Sequence, residues 1–215
     1  MTNSSLKNVH DWDNFMEDAS GDIRRLDYVY RFSSIPVIMK EQVSTHSYWV
    51  TLYAAMIHDE INGPEDLKPY LLSYALVHDA SEARSGDFVR TFKYSSKELK
   101  DAINKGEQEM MDSMPYRICR LFNPPDHLCV SEKAYIEMVV KAADFLSLKQ
   151  FMMREVDKGN KEIEQFYHRM TNDLALEAEK IGGMKFDVES FNQYVPLIAA
   201  LYERMVQAIH PSFTV

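Results

Sequence analysis

Long apolar runs and an excess of positive charge are both missing from this sequence. No stretch reaches the roughly 20 consecutive apolar residues that a membrane-spanning helix needs, and the N-terminal segment lacks the apolar run of a secretion signal. The formal net charge is -9, whereas proteins that hold long nucleic acids rely on many lysine and arginine contacts with phosphate. We therefore expect a cytoplasmic protein that binds neither a membrane nor a nucleic-acid polymer.

Cysteine and glycine are also scarce. The two cysteines, Cys119 and Cys129, are too few for a disulfide framework or a zinc site built from thiolates, so we expect both to be small core residues. The sequence contains 7 glycines and no succession of alternating apolar segments bounded by turns, which indicates few strands. An all-α fold is the expectation.

Helical periodicity is what the sequence has instead. It predicts helices over residues 22–31, 44–60, 66–82, 97–113, 131–156, 160–181 and 188–208. Turn-forming residues separate these segments at Asn62-Gly63-Pro64, Gly86, Pro115, Pro124-Pro125 and Gly182-Gly183. Because there is no internal repeat, low-complexity tract or linker, we predict a single-domain helical bundle over residues 1–215.

Polar residues interrupt the apolar side of one predicted helix. The stretch VHDASEARSGD brings His78, Asp79 and Glu82 within about one turn. The predicted apolar stripe of this helix consists of Leu72, Ala75, Leu76, Asp79 and Ala83. Since an unpaired buried carboxylate is costly, Asp79 needs a cation or several hydrogen-bond donors.

The same feature occurs in two other predicted helices. His46 lies beside the apolar side of the helix that starts near Ser44, and Asp144 follows Ala143 on the apolar face of the helix from Ser131. Two imidazoles and two carboxylates from three helices can converge on one point. Such a set suits Mn, Fe, Co, Ni or Zn, and the absence of thiolate favours a catalytic over a structural metal site.

A second His-Asp pair, His58-Asp59, has a different setting. It lies at the end of its predicted helix beside Glu60 and the Asn-Gly-Pro turn. Solvated polar residues are expected there, so we assign no chemistry to this pair.

These residues also carry a family resemblance. The histidine in STHS, the doublet in HDASE and the aspartate in KAADFL resemble the signature of HD-domain metal-dependent phosphohydrolases. The longer stretch HDASEARSGDFVRTFKY is similar to the bacterial 5'-deoxynucleotidase branch and to its phage relatives that hydrolyse deoxynucleoside triphosphates. The similarity runs from about Tyr30 to Leu148, and the later helices are expected to complete the same bundle.

The resemblance implies a role for each matching position. It implies four metal ligands, which are His46, His78, Asp79 and Asp144. Glu82 matches the acidic residue that positions or activates the attacking water, and Asp87 matches a second acidic residue beside the scissile phosphoester. Glu82 lies about one helical turn from His78 and Asp79, so it can reach a water next to these two ligands.

The resemblance also implies substrate contacts. Arg31 and Lys93 match basic residues that face the substrate phosphate, and their charges can offset the repulsion between an acidic protein and an anionic substrate. Phe32 occupies a position where the family usually has Trp, an aromatic wall that excludes a 2'-hydroxyl.

The function implied is hydrolysis at the 5' end of a deoxynucleotide. The substrate is either a monophosphate, which yields a deoxynucleoside and phosphate, or a triphosphate such as dATP, which yields a deoxynucleoside and triphosphate. The cofactor is a divalent ion (Co, Mn, Zn, Ni, Fe or Mg), and the family analogy suggests a homodimer. The alternative is a non-catalytic nucleotide-sensing or partner-binding bundle with a structural metal.

Overall fold

The computed structural model describes residues 22–88, 90–93, 95–114, 116–123 and 125–207. Over these ranges the chain folds into α-helices joined by short loops. The helices are α1 (Val43–Glu60), α2 (Lys68–Val77), α3 (Glu82–Ser85), α4 (Arg90–Lys93), α5 (Lys97–Asp112), α6 (Tyr116–Phe122), α7 (Val130–Asp157), α8 (Glu164–Gly182) and α9 (Tyr194–Gln207).

Irregular and 3₁₀ segments complete the described part of the chain. Short 3₁₀ helices lie at Asp22–Asp27, Glu65–Leu67, Lys161–Ile163 and Glu189–Gln193. Within the described ranges there is no strand, and an isolated antiparallel bridge joins Tyr30 to Gln42. The prediction of an all-α fold is confirmed. None of the described helices is long and apolar enough to cross a membrane.

Helix α7 is the central element of the bundle. It packs against α1, α2, α8 and α9, and it buries Ile136, Val139 and Ala143 completely. Its first turn is held by a reciprocal cap, in which the backbone N–H of Cys129 donates to the Glu132 carboxylate at 2.6 Å. Because four other helices surround α7, a polar side chain on its middle turns is held near the centre of the bundle and has little freedom to move.

A smaller apolar cluster supports the chain after α2. It consists of Leu26, Val43, Val77, Ala80, Ala83, Met111 and Met114, all of them buried. Val77 and Ala83 flank the polar stretch of residues 78–82, and Ala80 lies within it. The turn that carries His78 and Asp79 is therefore anchored on both sides by buried side chains.

The helix predicted over 66–82 is shorter in the structure. It ends at Val77, and the backbone continues with tighter i to i+3 hydrogen bonds, from Ala80 N to Val77 O at 2.9 Å and from Glu82 N to Asp79 O at 3.0 Å. The predicted apolar stripe was wrong in part. Its member Ala75 is buried, but its member Leu76 is 49% exposed, and Leu71, which was not predicted to belong to it, is buried. Packing against α1 and α7 selects a face that differs from the one the periodicity indicates.

Other boundaries also differ. The helix predicted over 22–31 is a 3₁₀ turn that ends at Asp27. The helices predicted from 160 and from 188 begin at Glu164 and Tyr194, each after a 3₁₀ turn, and residue 208 lies outside the described residues. The prediction that both cysteines are core residues was wrong for Cys129, which is exposed where it caps α7.

Candidate metal centre and substrate cavity

The predicted site residues come from distant parts of the chain. His46 lies in the first turn of α1, and Asp144 lies in the middle of α7. His78 and Asp79 occupy the turn after α2, and Glu82 begins α3. The fold thus brings four elements together around one point.

The four predicted metal ligands form one cluster. His46 Nε2 lies 3.3 Å from an Asp144 oxygen and 3.5 Å from an Asp79 oxygen. His78 Nε2 lies 3.3 Å from the same Asp79 oxygen. One ligand atom each from His46, His78 and Asp79 lies within 4.8 Å of the others, a spacing that a single ion can bridge.

The hydrogen bond that His78 makes through Nδ1 leaves Nε2 facing the cluster. Its Nδ1 donates to the carbonyl oxygen of Ala75 at 2.7 Å, which is the usual outer contact of a metal-binding imidazole. Among the described residues, neither His46 Nε2 nor His78 Nε2 has a hydrogen-bond partner, although both atoms are buried. Buried acceptors that face carboxylate oxygens are the arrangement that a divalent cation would satisfy.

The electrostatics of the cluster suit metal ligation. Burial, together with the charge of Arg31, lowers the pKa of His46 to about 4, so the imidazole is neutral at neutral pH. Burial alone would raise the pKa of Asp144, but the His46 imidazole 3.3 Å away and the charge of Lys141 outweigh it and hold the pKa well below its usual value. Neutral imidazole and ionised carboxylate are the protonation states that bind divalent metals.

Glu82 is a partly buried carboxyl group beside the cluster. One of its oxygens, Oε2, is buried without a hydrogen-bond partner among the described residues. Burial, with the charges of Asp79 and Asp87, raises the pKa of Glu82 to about 10. A cation bound by the neighbouring ligands would lower this pKa, because it would favour the ionised carboxylate.

Arg31 contacts the ligand cluster directly. Its Nη1 lies 3.1 Å from a Glu41 oxygen and 2.6 Å from Nδ1 of His46, and its Nη2 lies 3.9 Å from Asp144. Ser147 Oγ lies 3.1 Å from the same His46 nitrogen and can accept a hydrogen bond from it. Arg31 and Ser147 therefore compete for one edge of the imidazole.

Phe32 and Asp87 are joined by a hydrogen bond. The backbone N–H of Phe32 donates to Asp87 Oδ2 at 3.0 Å. Phe32 has a φ of 63°, a left-handed conformation that is uncommon for a bulky residue. Its ring stacks on Phe151 with centroids 4.6 Å apart. Asp87 thus holds the backbone of the aromatic residue that the sequence assigns to the sugar.

Lys93 has a different environment from the one predicted. Its ammonium group donates to both carboxylate oxygens of Glu107 on α5, each at 2.7 Å. Lys93 does not line the cavity described next, whereas Arg31 does. The role of Lys93 toward phosphate stays a prediction, and it requires the contact with Glu107 to be exchanged for one with substrate.

A cavity of about 410 Å³ opens beside the cluster. Its polar side is formed by Arg31, Asp87 and Asp144. Most of its remaining wall is apolar and includes Phe32, Ile35, Phe88, Phe145, Leu148, Met152, Phe166 and Met170. A pocket of this size, apolar with a polar end, suits a small molecule that has a ring system at one end and a charge at the other.

A second cavity, of about 440 Å³, also borders the cluster. His78, Asp79 and Asp144 form the wall that it shares with the metal site. The other residues around it are more polar than those of the first cavity and include Tyr74, Glu137, Lys141, Glu177 and Lys180.

The setting predicted for His58 was wrong. Its side chain is 1% exposed, and Nδ1 lies 2.9 Å from the hydroxyl of Tyr135 on α7. Asp59, in contrast, is exposed and pairs with Lys68 at 2.6 Å. His58 is thus a buried histidine, and the described structure places it outside the cluster of metal ligands.

Sequence reasoning missed several residues that shape the site. Glu41 and Ser147 orient Arg31 and His46, and Glu107 binds Lys93. Ser147 had a usable signal, because a serine on the apolar face of α7 needs a partner. Glu41 and Glu107 had none, since their partners are distant in sequence.

A helical bundle with a His-His-Asp-Asp cluster, of which His46 is buried and the others are partly buried, is typical of an HD-domain metal-dependent phosphohydrolase. The fold agrees with a solved HD-domain phosphohydrolase from Listeria innocua, which is 19% identical with a TM-score of 0.57 and covers 90% of this chain and 92% of its own. It also agrees with the HD phosphohydrolase DatZ of cyanophage S-2L, solved with dA and one catalytic Zn²⁺ ion. DatZ is 17% identical with a TM-score of 0.51 and covers 87% of this chain and 96% of its own.

Sequence comparison identifies the family. Residues 20–193 match the YfbR-like 5'-deoxynucleotidases, and the chain belongs to this family. The 5'-deoxynucleotidase YfbR of Salmonella arizonae is 28% identical over 164 residues, which are 72% of this chain and 80% of the relative. YfbR of Escherichia coli O1:K1 is 28% identical over 179 residues, which are 79% of this chain and 87% of the relative.

Proposed function

We propose that this protein hydrolyses the 5'-phosphoester of deoxynucleotides with a divalent cation held by His46, His78, Asp79 and Asp144. The observation that carries the proposal is the pair of buried imidazole Nε2 atoms that face two carboxylates at 3.3–3.5 Å without hydrogen bonds of their own. A cation supplies what these atoms lack. When bound there, it lowers the pKa of a coordinated water and withdraws charge from the phosphoryl oxygens.

Glu82 is the group that we assign to the attacking water. It is partly buried near Asp79, it is not one of the four predicted ligands, and its buried Oε2 can accept a hydrogen bond from water. In its ionised form it orients the water and takes up the proton as the bond to phosphorus forms. Asp87 supports this step through position, because it holds the Phe32 backbone at the edge of the cavity.

Arg31 is assigned to the substrate phosphate. A metal ion at His46 would require a lone pair on Nε2. The ring proton would then be on Nδ1, which would donate a hydrogen bond to Ser147 Oγ. The Arg31 guanidinium, 2.6 Å from that Nδ1, is also a donor and has to move away. Loading of the site thus releases a fork of N–H groups next to the cavity, where a phosphate can accept them in pairs.

The apolar cavity is assigned to the deoxynucleoside. Its rings and aliphatic side chains match a base and a sugar without a 2'-hydroxyl, and its polar end lies at Arg31 and Asp144. The second cavity, which also borders the predicted ligands, has Lys141 and Lys180 in its wall, together with Glu137 and Glu177. This space favours a triphosphate as a second candidate substrate, whose outer phosphates would extend there.

A panel of nucleotides tests the proposal. Purified protein is incubated with deoxy- and ribonucleoside mono- and triphosphates, with Mn²⁺, Co²⁺, Zn²⁺ or Mg²⁺, and the products are separated by chromatography. We expect a deoxynucleoside together with phosphate or triphosphate, and no turnover after removal of metal with a chelator. Metal and nucleotide binding without hydrolysis under any condition would favour the sensor that the sequence left as the alternative.

A homodimer is the assembly that we propose. The outer face of α1 carries Tyr48, Leu52 and Met56 at successive helical turns, and they are 59%, 39% and 58% exposed. An apolar stripe of this kind is typical of an interface. Sedimentation equilibrium should give twice the chain mass for the wild type, and Met56→Glu should lower it; a monomeric wild type would exclude the dimer.

We propose that the protein is located in the cytoplasm. We also propose that its partners are small nucleotides and do not include nucleic-acid polymers. Both cysteines are free thiols, as expected in a reducing compartment. The net charge of -9 disfavours a long phosphate backbone. Fractionation of cells, and a filter-binding assay with DNA and RNA at low salt, would test these two points.

A further inference from the structure

A loop of about ten residues forms one wall of the apolar cavity. Phe32, Ser33, Ser34 and Ile35 are consecutive, and all four line the cavity. The base of the loop is closed by backbone hydrogen bonds, from Arg31 N to Glu41 O and from Val43 N to Val29 O, each at 2.9 Å. The loop contains no helix or strand, so the position of this wall depends on what fastens the loop to the bundle.

A buried glutamate on α7 fastens the far end of the loop. Glu155 is 0% exposed. Its Oε2 accepts the backbone N–H of Ile38 at 2.7 Å, and its Oε1 accepts that of Met39 at 2.7 Å. Two backbone donors on one buried carboxylate are stronger than neutral hydrogen bonds, and they stabilise the charge in its apolar surroundings.

Asn160 adds a third donor and a second link to the loop. Its side-chain amide donates to Glu155 Oε2 at 2.6 Å and to the carbonyl oxygen of Pro36 at 2.8 Å. Gly159, with a φ of 85°, turns the chain back at the end of α7, and Asn160 N donates to Glu155 O at 3.0 Å. The end of the helix is shaped so that both side chains face the loop.

The same helix carries the cavity and the metal ligand. Phe151, one turn before Glu155, stacks on the Phe32 ring, and Asp144 lies about three turns before Glu155. Because α7 is the buried centre of the bundle, it links the loop and the metal centre through one rigid element. A loop held at Phe32 and at residues 36–39 has little freedom between these points.

We infer that Glu155 and Asn160 are positioning residues, which set the cavity wall formed by residues 32–35 and thereby the affinity for the deoxynucleoside part of the substrate. They touch neither the metal ligands nor the reacting phosphate. Their loss therefore weakens substrate binding while the chemistry at the phosphate continues. The inference rests on the proposed function for the identity of the ligand.

A graded set of variants tests the inference. Glu155→Ala removes the acceptor of all three donors. Glu155→Gln keeps one acceptor oxygen and turns an amide donor toward one loop N–H, so it loses part of the network. Asn160→Ala removes the link to Pro36. The matched control is Asn192→Ala, because Asn192 also fastens a loop by accepting from Phe186 N and donating to Phe186 O, away from both site cavities.

We expect the KM for a deoxynucleotide to rise about tenfold in Glu155→Ala and roughly threefold in Glu155→Gln and Asn160→Ala. The kcat and the bound metal should stay near the wild-type values in all three, which is the signature of lost binding and intact chemistry. Amide hydrogen exchange at Ile38 and Met39 should accelerate in the same order. The control should lose thermal stability without a change in KM.

The outcomes separate the inference from the proposed function. Wild-type protein that binds deoxynucleotides without hydrolysing them would contradict the function, and the dissociation constant, measured by calorimetry, then replaces KM. A wild type that binds none would overturn both. Unchanged affinity in folded Glu155 and Asn160 variants, an equal rise in KM for Asn192→Ala, or failure of all three loop variants to fold would overturn the inference alone.

Discussion

The described part of the chain contains the dipeptide His-Asp twice, and the two copies differ in what surrounds them. In the copy at the end of α1, the two side chains diverge. His58 points inward to the hydroxyl of Tyr135, and Asp59 points outward to Lys68. A Cβ at Gly63 would collide with the His58 ring, so the turn after the helix also closes over it. The pair is divided between core and solvent.

In the copy after α2, both side chains reach the same cluster. His78 Nε2 and Asp79 Oδ2 are 3.3 Å apart, with His46 of α1 and Asp144 of α7 beside them. The two pairs consist of the same two residues, and both stand at the C-terminal end of a helix. What distinguishes them is the partner that the neighbouring helices supply, which is the phenol of Tyr135 for one pair and the predicted ligands His46 and Asp144 for the other. Function therefore resides in the tertiary neighbours of the dipeptide.

Substitution of each aspartate is the strongest test of this contrast. Asp79→Ala should abolish both bound metal and turnover, because it removes one of four ligands and the counter-charge of the imidazoles. Asp59→Ala removes an exposed ion pair and should leave both near wild type. Elemental analysis and the hydrolysis rate of each variant provide the measurement. Stoichiometric metal in Asp79→Ala would show that the proposed ligand set is wrong.

Glu82 separates metal binding from catalysis within the second copy. Glu82→Gln should keep the metal and bind nucleotide, while the single-turnover rate falls about 10²- to 10⁴-fold, the usual contribution of a general base. Bound metal, nucleotide affinity and rate should be measured on one preparation. A wild-type rate would remove Glu82 from the water-activating role, and loss of metal would make it a ligand.

His58 sharpens the comparison from the other side. His58→Ala should lower the free energy of unfolding by about 1–3 kcal/mol, because the Tyr135 hydroxyl loses its buried partner. Metal content and the rate of the folded fraction should stay near wild type. His78→Ala is the counterpart, and we expect it to lose the metal. Denaturant unfolding and elemental analysis distinguish the two, and loss of metal in His58→Ala would remove the difference between the copies.

Proton release is the smallest effect that we predict. In the metal-free protein burial, with the charges of Asp79 and Asp87, raises the pKa of Glu82 to about 10, so this carboxyl group holds a proton at pH 7. A bound cation would lower this pKa, and the proton would leave. Calorimetric titration with metal in two buffers of different ionisation enthalpy counts the released protons. Glu82→Gln should release fewer than the wild type, whereas equal numbers would exclude Glu82 as a source.

The fold class could be predicted from sequence, and so could the convergence of His46, His78, Asp79 and Asp144, whose role as metal ligands stays a prediction. Periodicity located the long helices, and the cost of a buried carboxylate marked Asp79 and Asp144 as residues in need of a cation. The end of α2 could not be predicted, since no proline or glycine stands at Val77. Tertiary packing and i to i+3 bonding set it.

The environment of the site was less accessible to sequence reasoning than its residues. A helix-terminal histidine such as His58 looks solvated until the partner that covers it, 77 residues away, is known. The same holds for Lys93, whose partner Glu107 lies on another helix, and for Glu155, whose donors are backbone groups without a sequence signal. Contacts of this kind depend on topology.

Anomalous diffraction from a crystal grown with Mn²⁺ tests the central claim most directly, because it locates the ion independently of activity. The account predicts a peak at about 2.0–2.3 Å from His46 Nε2, His78 Nε2 and one oxygen each of Asp79 and Asp144, with Glu82 outside the ligand shell. A protein that hydrolyses deoxynucleotides with Mn²⁺ but shows its peak elsewhere, or shows none at these four residues, would contradict it.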